Sequence, residues 1–346
     1  MNSEWNSFLQ SAKAQFDDTG TVSGFEDTPS PTDNLICDLS HFGTIRVEGE
    51  EARDYLQNQF TNDMREVDEN IGQLSAYCSA KGRMLAIFTI YQHNDAFYLK
   101  LPRPLVEPIL KRLQMFILRA KVTLTDLSDE LIRIGVSGDA CQQQLKSIMG
   151  ELPENDFAVT HNSVSIQRIP STSPRYEICG DVEAVKTLWQ QLSDAVPTGA
   201  DGWELLDTEA GLPQIFTETF EAFVPQMVNL QLVEGVSFRK GCYPGQEVVA
   251  RMQYLGKLKR RMYLAHVDSS AAPSPGDELF DPESESNQGS GKVVRVAPHP
   301  EGGHSLLVVT QISSAEADRL QLTDAEGPTL SINDLPYPFE IEEAAS

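Results

Sequence analysis

Twice along the chain an apolar strand runs into a glycine and out into an amphipathic helix. Val47-x-Gly49 leads to Ala52 and Leu56, and Val136-x-Gly138 leads to Ala140 and Leu145. A strand–turn–helix device used twice predicts two α+β units with mixed or antiparallel sheets. Around the first copy, strands are predicted at 74–78, 84–91, 97–101 and 122–124. A helix over 104–118 would place Leu105, Ile109, Leu113 and Phe116 on one face. The second copy has a strand at 131–136 and a helix to Met149 that Asp139 could cap. Strands at 164–169 and 176–178 follow, then a helix over 182–192. The last part changes character. Short strands at 262–267, 278–280, 292–296 and 305–309 alternate with turn-rich segments, as in a small β-barrel or sandwich. Residues 1–33, rich in Ser, Thr, Asp and Gly, predict a short helix near 5–16 and then a loose tail around Pro29 and Pro31.

A length of 346 residues exceeds what one hydrophobic core usually organises, so two or three domains are expected. Fifty-one acidic residues against 27 basic ones leave a net charge of −24. That balance argues against a protein that coats nucleic acid or docks on anionic membranes, because both rely on Lys and Arg. No stretch approaches the ~20 apolar residues of a membrane span, and the start of the chain reads as no signal peptide. The five cysteines, Cys37, Cys78, Cys141, Cys179 and Cys242, are widely spaced with no CxxC pair. They suit reduced thiols in a cytoplasm, and they do not suit an Fe–S cluster held by this chain alone.

The densest chemical signal is Lys240-Gly-Cys-Tyr-Pro-Gly-Gln-Glu247, with Arg239 before it and Arg251 after. Pro244 is expected to open a helix that shows Val248, Val249, Met252 and Leu255 on one face and stops at Gly256. Cys242 would then lie just ahead of a positive helix end, beside Lys240, where a thiolate is favoured. Gly241 and Gly245 would let the backbone approach something closely. The bland alternative is a small buried cysteine in a strand–helix turn. Residues 239–261 carry Arg239, Lys240, Arg251, Lys257, Lys259, Arg260 and Arg261 against Glu247 alone, a local +6. Such an island could attract a small polyanion, or could pair with the protein's own acidic surface.

A second segment, Gly202-Trp-Glu-Leu-Leu-Asp-Thr-Glu-Ala-Gly-Leu-Pro213, reads as a short helix closed by Gly211. Glu209 would occupy its last turn, where the dipole disfavours a carboxylate. That placement hints at a ligand such as a guanidine-like ring, on which Trp203 could stack. A core Trp and a solvated Glu are the plain alternatives. Gly289-Ser-Gly-Lys292 lacks the upstream glycine of a phosphate loop and reads as a turn. His299 and His304 flank a hairpin loop, and no metal site is expected.

At these residues the sequence resembles the YgfZ family of folate-binding proteins, related to the T-protein (aminomethyltransferase) of glycine cleavage. The 240–247 motif with Arg251 is the signature segment. The resemblance extends through Cys37-Asp-Leu-Ser-His-Phe-Gly43, Asn58-Gln-Phe-Thr-Asn-Asp63, Ala80-Lys-Gly-Arg83, Glu209-Ala-Gly-Leu-Pro213 and Phe223-Val-Pro-Gln-Met-Val-Asn-Leu230. It covers roughly 33–340. It implies an α+β, T-protein-like ring of three domains around a folate cleft, with two α+β units and a C-terminal small β-barrel. The implied division is a tail at 1–33, a folate-binding region at 34–128 and 198–254, a ferredoxin-like unit at 129–197 and a barrel at 255–340. It further implies tetrahydrofolate as ligand and Fe–S enzymes as clients, among them the radical enzyme that methylthiolates tRNA. Phe42 and Trp203 would face the folate rings and Glu209 would bind the pterin. Gly241, Gly245 and Gln246 would complete the binding loop. Cys242 would be the functional thiol, with Lys240 and Arg251 beside it.

Leu85 and Ala86 stand where the aminomethyltransferases carry paired aspartates. Their apolar character argues against glycine-cleavage chemistry. Three functions therefore stay open: a folate-binding accessory protein for Fe–S enzymes, a folate-dependent one-carbon transferase, and a non-catalytic interaction scaffold. No tight direct binding of nucleic acid and no membrane partner are expected.

Overall fold

The computed structural model describes residues 1–26, 34–283 and 289–339. In chain order the elements begin with α1 (Ser3–Ser11), β1 (Ala14–Phe16), β2 (Val22–Phe25), β3 (Leu35–Asp38), β4 (Phe42–Glu48) and α2 (Ala52–Gln57). Next come β5 (Gln73–Cys78), β6 (Met84–His93), β7 (Ala96–Pro102), α3 (Arg103–Gln114), β8 (Thr123–Asp126), β9 (Ile132–Ser137) and α4 (Asp139–Met149). They continue with β10 (Val159–His161), β11 (Ser165–Arg168), β12 (Arg175–Gly180), α5 (Val182–Gln191), β13 (Val196–Thr198), α6 (Ala200–Glu209) and α7 (Gln246–Tyr254). The last are β14 (Arg260–Val267), β15 (Glu278–Phe280), β16 (Gly291–Pro298), β17 (His304–Gln311), α8 (Ile312–Glu316), β18 (Gln321–Leu322) and β19 (Leu330–Asn333). No helix among the described residues is long and apolar enough to cross a membrane.

The chain divides into two compact units, one of Met1–Gln59, Asp63–Ser75 and Phe88–Trp203, the other of Phe60–Asn62, Ala76–Ile87 and Glu204–Ser346. The repeated device is present in the first. β4 leads through Gly49 into α2, and β9 leads through Gly138 into α4. The glycines adopt φ of +124° and +103°, a turn that side chains rarely enter. Two larger sheets follow from it, one in the order β5-β6-β7-β4-β8 and one in the order β10-β11-β12-β9-β3-β13. β3 lies beside β9 and β13, so a segment from ahead of residue 128 completes the sheet of the 129–197 region.

The N-terminus departs from expectation. Its helix ends at Ser11, and the end of the expected helix, Ala14–Phe16, pairs as β1 with β2, Val22–Phe25, from the expected loose tail in an antiparallel hairpin. Trp5, Leu9, Val22 and Phe25 are buried in one core with Ile132, Ile178 and Trp189, and Trp5 Nε1 donates to Asp38 Oδ1 at 2.7 Å. A polar composition therefore hid four apolar anchors. Pro29 and Pro31 lie outside the described residues.

In the second unit β18-β15-β16-β17-β14-β19 form an antiparallel sheet around Val267, Val293, Leu306, Val308 and Leu320. The amide of Leu330 donates to Leu320 O at 2.9 Å, so the segments next to the two edge strands meet. The six strands curl into a half-barrel, in keeping with the small barrel expected. The Gly289–Lys292 segment enters it as the start of β16.

Candidate functional site

The 240–247 turn is held by segments far from it in sequence, all within the second unit. The Lys240 ammonium is buried and donates to Phe60 O at 2.5 Å and Asn62 O at 2.9 Å. Thr61 Oγ1 donates to Gly235 O at 2.8 Å, Asn62 Nδ2 to Glu234 O at 2.7 Å, and Ser237 N to Thr61 O at 3.0 Å. The 223–230 segment adds Gln226 Nε2 to Val249 O at 2.7 Å and Asn229 Nδ2 to Met262 O at 2.9 Å, which tie α7 and β14 to it. Met84 N donates to Phe223 O at 2.8 Å and Arg83 to Ala222 O at 2.5 Å. Four of the motifs singled out in the sequence thus brace one another.

Gly245 has φ +81°. A Cβ there would lie 2.4 Å from Ser79 O and 2.6 Å from Gly82 Cα, so the turn requires glycine against the 79–82 turn. Gly241 is uncrowded: a Cβ would meet nothing within 4 Å. α7 begins at Gln246, two residues later than the proline signal suggests, because Gly245 in the left-handed region precedes it as N-cap. Pro244 lies in the turn. Gln246 Nε2 lies 3.3 Å from Gly241 O, reaching back across the loop.

Cys242 is exposed on this turn, and the other four cysteines are buried. Burial pushes the thiol of Cys141 up to about 11 and that of Cys78 to about 12, and lifts Cys37 further, helped by the neighbouring Asp38. These thiols stay protonated at neutral pH and are screened from reagents. Lys240 is not a loose cation beside the sulfur. Its ammonium points into the protein and lies 5.3 Å over the buried Tyr243 ring. The sequence made Lys240 a charge near the thiol, whereas the structure makes it the post on which the loop is anchored.

Of the seven cations in 239–261, Arg260 donates to Gly289 O and Arg261 lies 4.4 Å from the Phe339 ring centre. Arg239, Arg251, Lys257 and Lys259 are exposed and make no salt bridge among the described residues. On and after α7, Tyr254 is 68% and Leu255 84% exposed, and Val248 is partly exposed. The face expected to be apolar and buried therefore buries Val249 but leaves Val248 and Leu255 in solvent.

α6 carries Trp203 and Glu209. Trp203 is fully buried against Gly135, with the Arg175 guanidinium 5.0 Å over its ring, and its Nε1 has no hydrogen-bond partner among the described residues. Phe42 is 3% exposed, and the Lys100 ammonium lies 4.5 Å over its ring. Lys100 and Arg133 are paired with the buried Glu177. Neither ring offers an open face. Glu209 ends α6 and is exposed, and partial desolvation raises its carboxyl despite the opposing His299 charge. Asp207 and Glu204 of the same helix are bound to the buried Arg295 at 2.5 and 3.3 Å, which leaves Glu209 as the outward carboxylate of that turn. Leu85 and Ala86 are buried in β6.

Known proteins match this architecture. The GCVT N-terminal domain matches residues 31–238, more than half of the chain. The solved structure of glycine cleavage system aminomethyltransferase T from Bartonella henselae superimposes with a TM-score of 0.74, covering 95% of this chain and 96% of that one at 15% identity. The fold is that of a T-protein-like α+β protein, and the chain carries a GCVT N-terminal domain. Closer in sequence is the tRNA-modifying protein YgfZ of Colwellia psychrerythraea, 31% identical over 314 residues, covering 90% of this chain and 95% of that relative. Its counterpart in Photorhabdus laumondii is 31% identical over 310 residues, covering 89% and 94%. That of Escherichia coli (strain SE11) is 30% identical over 307 residues, covering 88% and 94%. The chain belongs to the family of the tRNA-modifying protein YgfZ.

Proposed function

We propose that this chain is a tetrahydrofolate-binding accessory protein that supports Fe–S enzymes, those that modify tRNA among them, and that Cys242 is its working group. One observation carries the reading: a single accessible thiol stands on a turn that three distant segments hold in place. A sulfur kept for packing would be buried like the other four. The exposed Arg239, Arg251, Lys257 and Lys259, with Tyr254 and Leu255, supply a cationic and apolar surface on which a client could dock.

The fold likeness and the names of the relatives support folate and tRNA modification. Glu209 fits the pterin, since an outward carboxylate can accept paired hydrogen bonds from an aminopyrimidine edge. Phe42 and Trp203 do not fit as stacking surfaces in this structure. Lys100 covers the Phe42 ring and Arg175 the Trp203 ring, both within the first unit. Gly245 and Gln246 shape the loop, and Gly241 leaves space beside the thiol. When bound, tetrahydrofolate supplies nitrogens that can carry a one-carbon unit. The buried Leu85 and Ala86 offer no carboxylate for such a transfer, which ranks a one-carbon transferase second.

The test is complementation. In a strain lacking the protein, Cys242→Ala is expected to lose most methylthiolation of tRNA while its melting temperature matches wild type. Full restoration by Cys242→Ala would leave the chain as a scaffold. Calorimetric titration with tetrahydrofolate is expected to weaken at least tenfold in Glu209→Gln, and equal affinity would remove Glu209 from the folate site.

A further inference from the structure

We propose that Glu69, His93 and His161 form a binding site for a divalent first-row transition-metal ion, with Zn²⁺ the best-matched. All three lie in the first unit, and local structure fixes each one. His93 ends β6, where Asn94 and Asp95, with φ of +48° and +61°, make a tight hairpin turn before Ala96. His161 ends β10, paired with Ser165 of β11. Glu69 sits in a turn in which Asn70 N and Ile71 N donate to Asp68 Oδ1, and Val159 N of β10 donates to Asn70 O at 2.9 Å.

The three donor atoms lie within 4.8 Å of one another. Glu69 Oε2 is 3.5 Å from His93 Nδ1 and 3.8 Å from His161 Nε2, and the two imidazoles stack with centroids 4.2 Å apart. Those separations are too long for hydrogen bonds. They match ligands around one tetrahedral ion, where bonds of ~2.0–2.2 Å put neighbouring donors about 3.3–3.6 Å apart. Both facing nitrogens are withdrawn from solvent and lack a well-formed hydrogen bond among the described residues, and the backbone oxygens of Gln92 and Glu69 that approach the His161 ring are contacts an ion would replace. Two stacked imidazoles cannot both hold a proton against each other without repulsion. A shared cation uses both lone pairs and the carboxylate at once.

The outer contacts suit metal ligation. Ser165 Oγ lies 2.9 Å from His161 Nδ1, and accepting that N–H leaves the Nε2 lone pair facing Glu69. Asn94 Nδ2 lies 2.9 Å from His93 Nε2, and rotating that amide by about 180° would bring its oxygen there to accept the Nε2 proton and leave the Nδ1 lone pair facing Glu69. A cavity of about 100 Å³ opens beside His93, bordered also by Tyr91, Ser165 and Cys179, and is large enough to hold water next to that ligand. Three protein ligands with an open position distinguish this from a closed structural site. Two nitrogens and one oxygen favour Zn²⁺, Ni²⁺, Cu²⁺ or Fe²⁺ over Mg²⁺ and Ca²⁺, which prefer oxygen.

The full chain, stripped with chelator and dialysed against micromolar Zn²⁺, is expected to retain one equivalent by elemental analysis. Co²⁺ is expected to give visible d–d bands of a low-coordinate site. His93→Ala, His161→Ala and Glu69→Gln should each weaken Zn²⁺ binding at least tenfold, whereas His266→Ala and His299→Ala should not change it. Zn²⁺ should raise the melting temperature of wild type and not of Glu69→Gln, a substitution at a half-exposed turn residue that the fold tolerates. Uptake that survives all three substitutions, or no uptake by wild type, overturns the proposal.

Discussion

At the scale of the residue, accessibility sorts the five cysteines. Under native conditions a maleimide should label Cys242 rapidly, and the other four only after unfolding, as peptide mass spectrometry would show. Labelling of Cys78 or Cys141 at a comparable rate would contradict their burial. Cys78 also sets a pH dependence. Its thiol is raised to about 12 in the fold against 9.0 when free, so the folded state holds its proton longer than the unfolded chain. The stabilisation is present below pH 9 and is lost as pH rises toward 12. The stability advantage of wild type over Cys78→Ala should therefore shrink between pH 9 and 11 in urea titrations. Gly245 tests the loop itself. Gly245→Ala must hold a side chain at φ +81° and clear Ser79 O, so a loss of about 1–3 kcal/mol is expected in the same assay. Cys242→Ala, at an exposed position, should stay within ~0.5 kcal/mol of wild type.

At the scale of the element, α7 is an amphipathic helix whose apolar residues are only partly used. Val249 is buried and receives Gln226, whereas Tyr254 and Leu255 project into solvent beside Arg251 and Lys257. Leu255→Glu should leave the melting temperature and the labelling of Cys242 unchanged, yet reduce support of the client enzyme in the complementation assay. An unchanged phenotype would exclude this surface from docking. The N-terminal elements teach the opposite lesson. Composition suggested a tail after one helix, but α1, β1 and β2 carry Trp5, Leu9, Val22 and Phe25 into a core built by β9, β12 and α5. A three-residue strand has too little periodicity to be read from sequence, and only its partner makes it a strand. Longer periodic segments were legible: α4 ends at Met149 as expected, although Gly138 and not Asp139 is its N-cap, and α5 ends one residue short of its expected limit.

At the scale of the whole molecule, a net charge of −24 surrounds a small cationic region. Four exposed cations cannot neutralise enough phosphates to hold a long polyanion against physiological salt. Mobility-shift assays with tRNA at that ionic strength should show no stable complex, and any binding at low salt should vanish on adding salt. A shift that resists salt would place nucleic acid among the direct partners.

Chemistry concentrated in one stretch was readable from the sequence: the 240–247 motif, the helix ending at Glu209 before Gly211, and the family likeness that these segments carry. Such features are local, and their residue types and spacing already state the backbone they need. Three things required the tertiary structure. Lys240 is an anchor because Phe60 and Asn62 present their carbonyls to it. Trp203 is closed off because Gly135 and Arg175 lie against it. Glu69, His93 and His161 meet because a turn and two strand ends converge. Each depends on contacts between residues far apart along the chain, and no pattern of nearby residues encodes what a distant segment will place there.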